Sequence, residues 1–184
     1  MSAVTTVRVI TGVSGSPGSL RALRFAAEVA GLRGAPLVPV LAWVPPGGDL
    51  ADRRCPSPHL RQIWRDMAAK DLQDALDLAF GGRADMEVWP LVMRGPAGPV
   101  LVATACEPGD LLVVGAGGRG PVRRWLGGRV ARFCVAHAGC PVLAIPPAGL
   151  AADASGIRGW VRRHRSLTSE AAGLAIGAAD RSRG

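Results

Sequence analysis

This chain has no tyrosine, a single lysine at position 70, and aromatic side chains at only 4% of its 184 positions. Binding of nucleic acid calls for a basic stripe with aromatics interleaved, and no such stripe is present. The formal charge is +8, carried by 21 arginines and Lys70. It is spread along the chain: residues 1–147 hold 16 basic and 11 acidic side chains, net +5, and residues 148–184 hold 6 and 3, net +3. Heavy use of Arg, Ala, Gly and Pro is what a GC-rich genome produces, so no nucleic-acid partner is expected. No apolar run approaches the ~20 residues of a membrane span, and the opening MSAVTTVRVITGV lacks the apolar stretch of a secretory signal. The expected setting is the cytoplasm, with no membrane partner. The four cysteines, Cys55, Cys106, Cys134 and Cys140, form no C-x-x-C pair and no zinc spacing with histidine. They read as core thiols, and no metal site is expected.

Apolar residues are plentiful, at 48%, enough for one α/β domain with a proper core plus an extension. Residues 7–13 read as a first strand. Ser16 is a good helix N-cap with Pro17 at the first helical position, and Leu20, Leu23, Ala27 and Ala30 repeat on one face up to Gly31 and Gly34. Residues 37–44 read as a second strand and 45–58 as a Pro- and Gly-rich loop. Leu60, Ile63, Trp64, Met67, Leu72, Ala75, Leu76 and Ala79 space as one face of a long second helix, which Gly81 and Gly82 end. Residues 86–93 read as a third strand, 97–106 as a short helix, 111–115 as a fourth strand. Val130, Phe133, Cys134 and His137 space as a helix face, and 141–145 form a final strand. Strands alternating with helices imply a doubly wound parallel sheet. Pro90 marks the third strand as an edge. Pro39 inside the second strand is awkward and calls for a strand start or a bulge. Residues 148–184 read as a basic, Ala/Gly-rich, largely flexible tail.

The chemistry concentrates in LLVVGAGGRGPVRRWLGGRV, residues 111–130. A buried strand breaks into glycines, and a second pair, Gly127 and Gly128, precedes a helical pattern. Backbone N–H groups at such a strand-to-helix exit, with a helix dipole behind them, suit a phosphate. The loop is not a Walker A motif, which needs a Lys followed by Ser or Thr, and no G-x-G-x-x-G follows the first strand. Arg119 and Arg129 are candidates for phosphate contact, while Arg123 and Arg124 read as solvated. No carboxylate or histidine stands by either glycine loop. Asp110 begins the fourth strand at the other end of the sheet, His137 reads as packed or capping, and His59 and His164 fall in loop and tail. Without a general base or a metal set, no turnover is expected.

Over about residues 5–146 the chain resembles the universal stress proteins. The likeness lies in VRVITGVSGSPGSLRALRFAAEVA at the start, in Gly95-Pro96 at the third-strand exit, and in HAGCPVLAIP at the end. It includes that family's ATP signature: glycine, two residues, glycine, nine residues, glycine, then Ser or Thr. Gly115, Gly118 and Gly128 keep the register, and Arg129 stands where the hydroxyl would be. Ser14 stands where the family places an Asp beside adenine. The resemblance implies a five-stranded sheet in the order 3-2-1-4-5, and therefore a ligand crevice between strands one and four. The candidate nucleotide-binding set is Gly12, Val13, Ser14, Ala42, Gly115, Gly117, Gly118, Arg119, Gly128, Arg129 and Val130, for ATP or another adenine nucleotide. The implied function is that of a non-enzymatic stress-response regulator, with a homodimer paired through residues 141–145. The alternative is a nucleotide-free dimeric interaction protein with a degenerate ATP site.

Overall fold

A computed structural model describes residues 7–82, 86–116 and 121–146, those of 121–127 without their side chains. The chain divides into two units, Met1–Ala148 and Gly149–Gly184. All described residues belong to the first, and the expected tail lies outside them.

Ten elements alternate along the chain: β1 (Val9–Gly12), α1 (Pro17–Arg33), β2 (Leu37–Trp43), α2 (Gly48–Arg54), α3 (Pro58–Phe80), β3 (Leu91–Arg94), α4 (Ala97–Thr104), β4 (Leu111–Gly115), α5 (Pro121–His137) and β5 (Val142–Ile145). The five strands form one parallel sheet in the order β3-β2-β1-β4-β5, the order the resemblance implied. The central strands are apolar throughout because both of their faces are covered. Ile10, Val38, Val40, Leu112 and Val114 pack with Val100, Leu101, Ala131 and Cys134 of α4 and α5. The alternate residues Val9, Leu37, Leu111 and Val113 are equally buried and point to the other face, where α1 and α3 pack on the sheet and on each other.

The helix ends follow local chemistry. Ser16 accepts from the Ser19 N–H at the start of α1 and Ser57 from the Leu60 N–H at the start of α3, each followed by proline. Gly34 and Gly81 close these helices in the left-handed conformation. Arg24 of α1 donates to the carbonyls of Leu78 and Ala79, at 2.9 and 3.4 Å, in the last turn of α3.

The structure corrects the sequence reading at several points. The expected loop 45–58 contains α2. Gly47 and Gly48, with φ of 81° and 78°, reverse the chain, and Asp49 in the first turn and Arg53 and Arg54 in the last match the helix dipole. The predicted apolar face of α3 is buried only in its second half, at Ala68, Leu72, Ala75 and Leu76. Leu60, Ile63 and Met67 are 43%, 39% and 60% exposed. The helix is about 34 Å long at 1.5 Å per residue, whereas β2 spans about 23 Å, so α3 overshoots the sheet. His59 lies in the first turn of α3, not in a loop.

The first and third strands are shorter than expected. The third begins at Leu91, preceded by an isolated bridge between Leu37 and Val88. Leu37 donates to the Glu87 carbonyl and accepts from Trp89, at 2.9 and 2.8 Å, so alternate residues of β2, Pro39 among them, turn their N–H side to β3. Pro39 has no N–H to give at that step, which falls between the Leu37–Val88 bridge and the Val40–Leu91 pairing. The two prolines, Pro39 and Pro90, thus meet at one break in the ladder. The β1 side of β2 stays intact, with Thr11 paired to Pro39 in register.

Candidate functional site

The strand order reverses between β1 and β4, and the carboxyl ends of those strands open the crevice. On the β1 side, Gly12 leads to buried Val13, whose N–H donates to the Val40 carbonyl at 2.8 Å. Ser14 then begins a compact hydroxyl network. Its N–H donates to Ser19 Oγ at 3.2 Å, Ser19 Oγ donates to the Ser16 carbonyl at 2.9 Å, and the Ser14 and Ser16 hydroxyls share a hydrogen bond at 3.1 Å. Gly15 makes the turn with φ 66°. The network fixes the first turn of α1 while Ser14 stays exposed at the rim.

On the β4 side, Gly115 is required by packing. A Cβ there would lie 2.8 Å from the Gly18 carbonyl oxygen and 3.0 Å from its carbon, so the backbone of α1 rests directly on the exit of β4. Ala116 extends the β4–β5 pairing by donating to the Ile145 carbonyl at 2.8 Å. Ala42, near the end of β2, and Val130 are both half-buried against the core cluster on the α4/α5 face.

The structure therefore brings Gly12, Val13, Ser14 and Gly115 to one rim of the sheet, with Ala42 near the end of the neighbouring β2. Gly117, Gly118 and Arg119 lie outside the described residues. Gly128 and Arg129 are placed differently from expectation: α5 begins at Pro121, so both sit inside the helix rather than before it. Gly128 is the eighth residue of α5, past the first four N–H groups that a helix leaves free. Its carbonyl accepts from Arg132 Nε at 3.2 Å. Arg129 is exposed on the helix surface. The sequence reading missed this because glycine is a common helix boundary and the apolar spacing begins only at Val130.

At the opposite rim Asp110 is fully buried and ion-paired with Arg8, whose Nη2 and Nε reach its two carboxylate oxygens at 2.6 and 2.9 Å. That is the end of the sheet away from the crevice, as expected. His137 stacks on Phe133 with ring centroids 4.2 Å apart, and its Nδ1 lies 2.9 Å from the Phe133 carbonyl oxygen. Of the four cysteines, only Cys134 is fully buried; Cys140 is half-buried, and Cys55 and Cys106 are exposed, so the core-thiol reading fails for two of them.

One polar cluster went unseen in the sequence. Asp52 of α2 is buried and accepts from Arg61 Nε at 2.9 and 3.0 Å and from Arg94 at 2.8 Å, while Arg94 also reaches Asp49 at 2.7 Å. These hydrogen bonds, Arg61 first, hold the Asp52 carboxyl below the usual carboxylate range. They clamp α2 to α3 and β3. No spacing rule links residues 52, 61 and 94. Among the described residues, no group of His, Cys, Asp and Glu is placed to hold a metal ion, and no helix is long and apolar enough to cross a membrane.

With this geometry in place, the comparisons with known proteins are decisive. The universal stress protein family matches over residues 6–146. The chain belongs to that family. Solved structures share its fold. The hypothetical protein MJ0577 superposes with a TM-score of 0.62 at 13% identity, covering 79% of this chain and 99% of that one. Universal stress protein UspA from Lactobacillus plantarum gives 0.55 at 18% identity, over 78% and 99%. A universal stress family protein from Burkholderia pseudomallei gives 0.50 at 21%, over 79% and 99%. Among curated proteins none matches significantly.

Proposed function

We propose that this universal stress protein is a non-catalytic regulator that binds an adenine nucleotide weakly in the crevice between β1 and β4. The observation that carries the reading is the position of Gly115. This first member of the glycine register stands at the exit of β4, beside the strand-order reversal where open α/β sheets take their ligands. Val13 and Ala42 offer apolar contact to a base, Ser14 a hydroxyl, and Arg129 a guanidinium matched to phosphate. Replacing the family's Asp and Ser or Thr removes two polar contacts, each worth on the order of 1–3 kcal/mol, which makes the binding weak.

A second reading, a nucleotide-free interaction protein, draws on the position of Gly128. Its N–H is spent inside α5, so it cannot cradle a phosphate unless the first turns of that helix open. We further propose that two copies pair through β5. It lies at the edge of the sheet, is short and uncharged, and an edge of this kind invites a partner strand.

The test is mass spectrometry of small molecules released from the purified protein. The first reading expects an adenine nucleotide at substoichiometric yield. Its absence, together with no protection of β4 and α5 from hydrogen exchange when ATP is added, selects the second.

A further inference from the structure

The rim opposite the crevice carries chemistry that nucleotide binding does not use. Val9 pairs with Leu111, and Leu112 with Val142. Continued toward the amino ends, the same registers align Arg8, Asp110 and Cys140 in one row across β1, β4 and β5. Neighbouring members of such a row are about 4.8 Å apart. The row lies on the face covered by α4 and α5, since Ile10, Leu112 and Val142, two residues further on, pack in that core cluster. Cys106 follows the end of α4 directly over this row. Arg8 Nη2 donates to the Thr104 carbonyl at 3.2 Å, and the Glu107 N–H donates to Asp110 Oδ2 at 3.0 Å. The segment bearing Cys106 is thus stitched to the row on both sides of the cysteine. The Arg8 side chain lies near Cys106, and Cys140 lies near both Asp110 and Cys106.

We propose that Cys106 and Cys140 are a redox-active thiol pair that a hydroperoxide converts to an intrachain disulfide. Cys106 is the attacking thiol because it is exposed whereas Cys140 is half-buried, and its segment is held by the Arg8 guanidinium. Its thiolate attacks the peroxide oxygen, an S–O bond forms as the O–O bond breaks, and the leaving oxygen departs as water or alcohol after taking a proton. Cys140 then attacks the sulfenic sulfur. The S–S bond forms, the S–O bond breaks, and the oxygen leaves as water with the Cys140 proton. Two thiols are oxidised and one peroxide is reduced. Cys134 is a bystander: it is fully buried in the core, and burial pushes its thiol up to about 11; burial raises the half-buried Cys140 thiol too, so Cys140 resolves rather than attacks.

The experiment uses the full chain with exposed Cys55 replaced, Cys55→Ser. Protein is treated with hydrogen peroxide, blocked with an alkylating agent, and digested with trypsin without reduction. The expected product joins peptide 95–119 to peptide 133–158, disappears on adding dithiothreitol, and is lost in Cys106→Ser and Cys140→Ser but kept in Cys134→Ser. A bridge within peptide 133–158 overturns the proposal. So does over-oxidation of Cys106 with no bridge, or a product found only at dimer mass on a non-reducing gel. Bridge formation at the same rate in guanidinium-unfolded protein also overturns it.

Discussion

The two rims of this sheet are built on opposite plans. The amino-terminal rim is held by side chains: a buried carboxylate, a guanidinium with three hydrogen bonds to Asp110 and Thr104, and a loop wrapped over them. The carboxyl-terminal rim rests on close backbone approach: Gly115 lies against Gly18, and short serine hydroxyls bond to backbone groups in the first turn of α1. A rim built from side chains is fixed by what is present and fails when a charge is removed. A rim built from backbone is fixed by what is missing and fails when an atom is added. Both leave the sheet intact between them, but only the second lies at the strand-order reversal where open α/β sheets take their ligands.

Mutations sharpen this contrast. The largest effect is expected from Asp110→Ala, which strands the Arg8 guanidinium beside a buried rim; removing one partner of a buried pair costs about 3 kcal/mol or more. Urea unfolding should show the unfolding free energy falling by that amount, through a lower midpoint with the slope unchanged. Next comes Gly115→Ala. Its Cβ meets the Gly18 carbonyl, which belongs to a helix and cannot step aside, so a loss of about 1–3 kcal/mol is expected. Gly12→Ala is the internal control: its Cβ meets the Leu101 side chain, Cδ1 at 2.8 Å, the end of a side chain that can rotate, and it should cost less. Equal losses at both glycines would break the distinction between backbone and side-chain contact.

The clamp on α2 gives a pH-dependent prediction. Asp52 has its carboxyl lowered by Arg61 and Arg94, so its contribution is present above the usual carboxylate range and is lost as pH falls through the depressed value. Thermal melts from neutral pH to about pH 3 should show a steeper loss for the unmodified chain than for Asp52→Asn. Parallel curves would remove Asp52 from the account.

How much of this was legible in the sequence depended on the kind of interaction. Strand order followed from the family likeness, and the cap at Ser16 from local chemistry, a serine directly before a proline at the start of a helix; Ser57 carries the same signal but lies in the stretch read as loop. The first half of α3 misled because Leu60, Ile63 and Met67 keep a helical apolar period that extends past the sheet they would pack on. Pro39 looked like a fault in a central strand, and only the ladder reveals that its missing donor faces the break made by Pro90. For the candidate site, Gly12, Val13, Ser14 and Gly115 could be placed because strand ends are local features. The placement of Gly128 could not, because where α5 starts is decided by packing, not by the glycine itself. The clusters at Asp52 and at Cys106 join residues far apart in the chain, which no spacing rule reaches.

The smallest of the expected effects is also the most specific. Arg129→Ala should weaken nucleotide binding about tenfold, roughly 1.4 kcal/mol. Light scattering gives a parallel check on assembly. The full chain and a version ending at Ala148 should both run as dimers, and a monomer in both would rule out pairing through β5.

The central claim is that the backbone-built rim still takes a nucleotide despite Ser14 and Arg129. Isothermal calorimetry with ATP, ADP and AMP at high micromolar protein tests it directly. The account predicts saturable heat with a weak dissociation constant for at least one of the three, reduced in Arg129→Ala. No heat with any of them would contradict it.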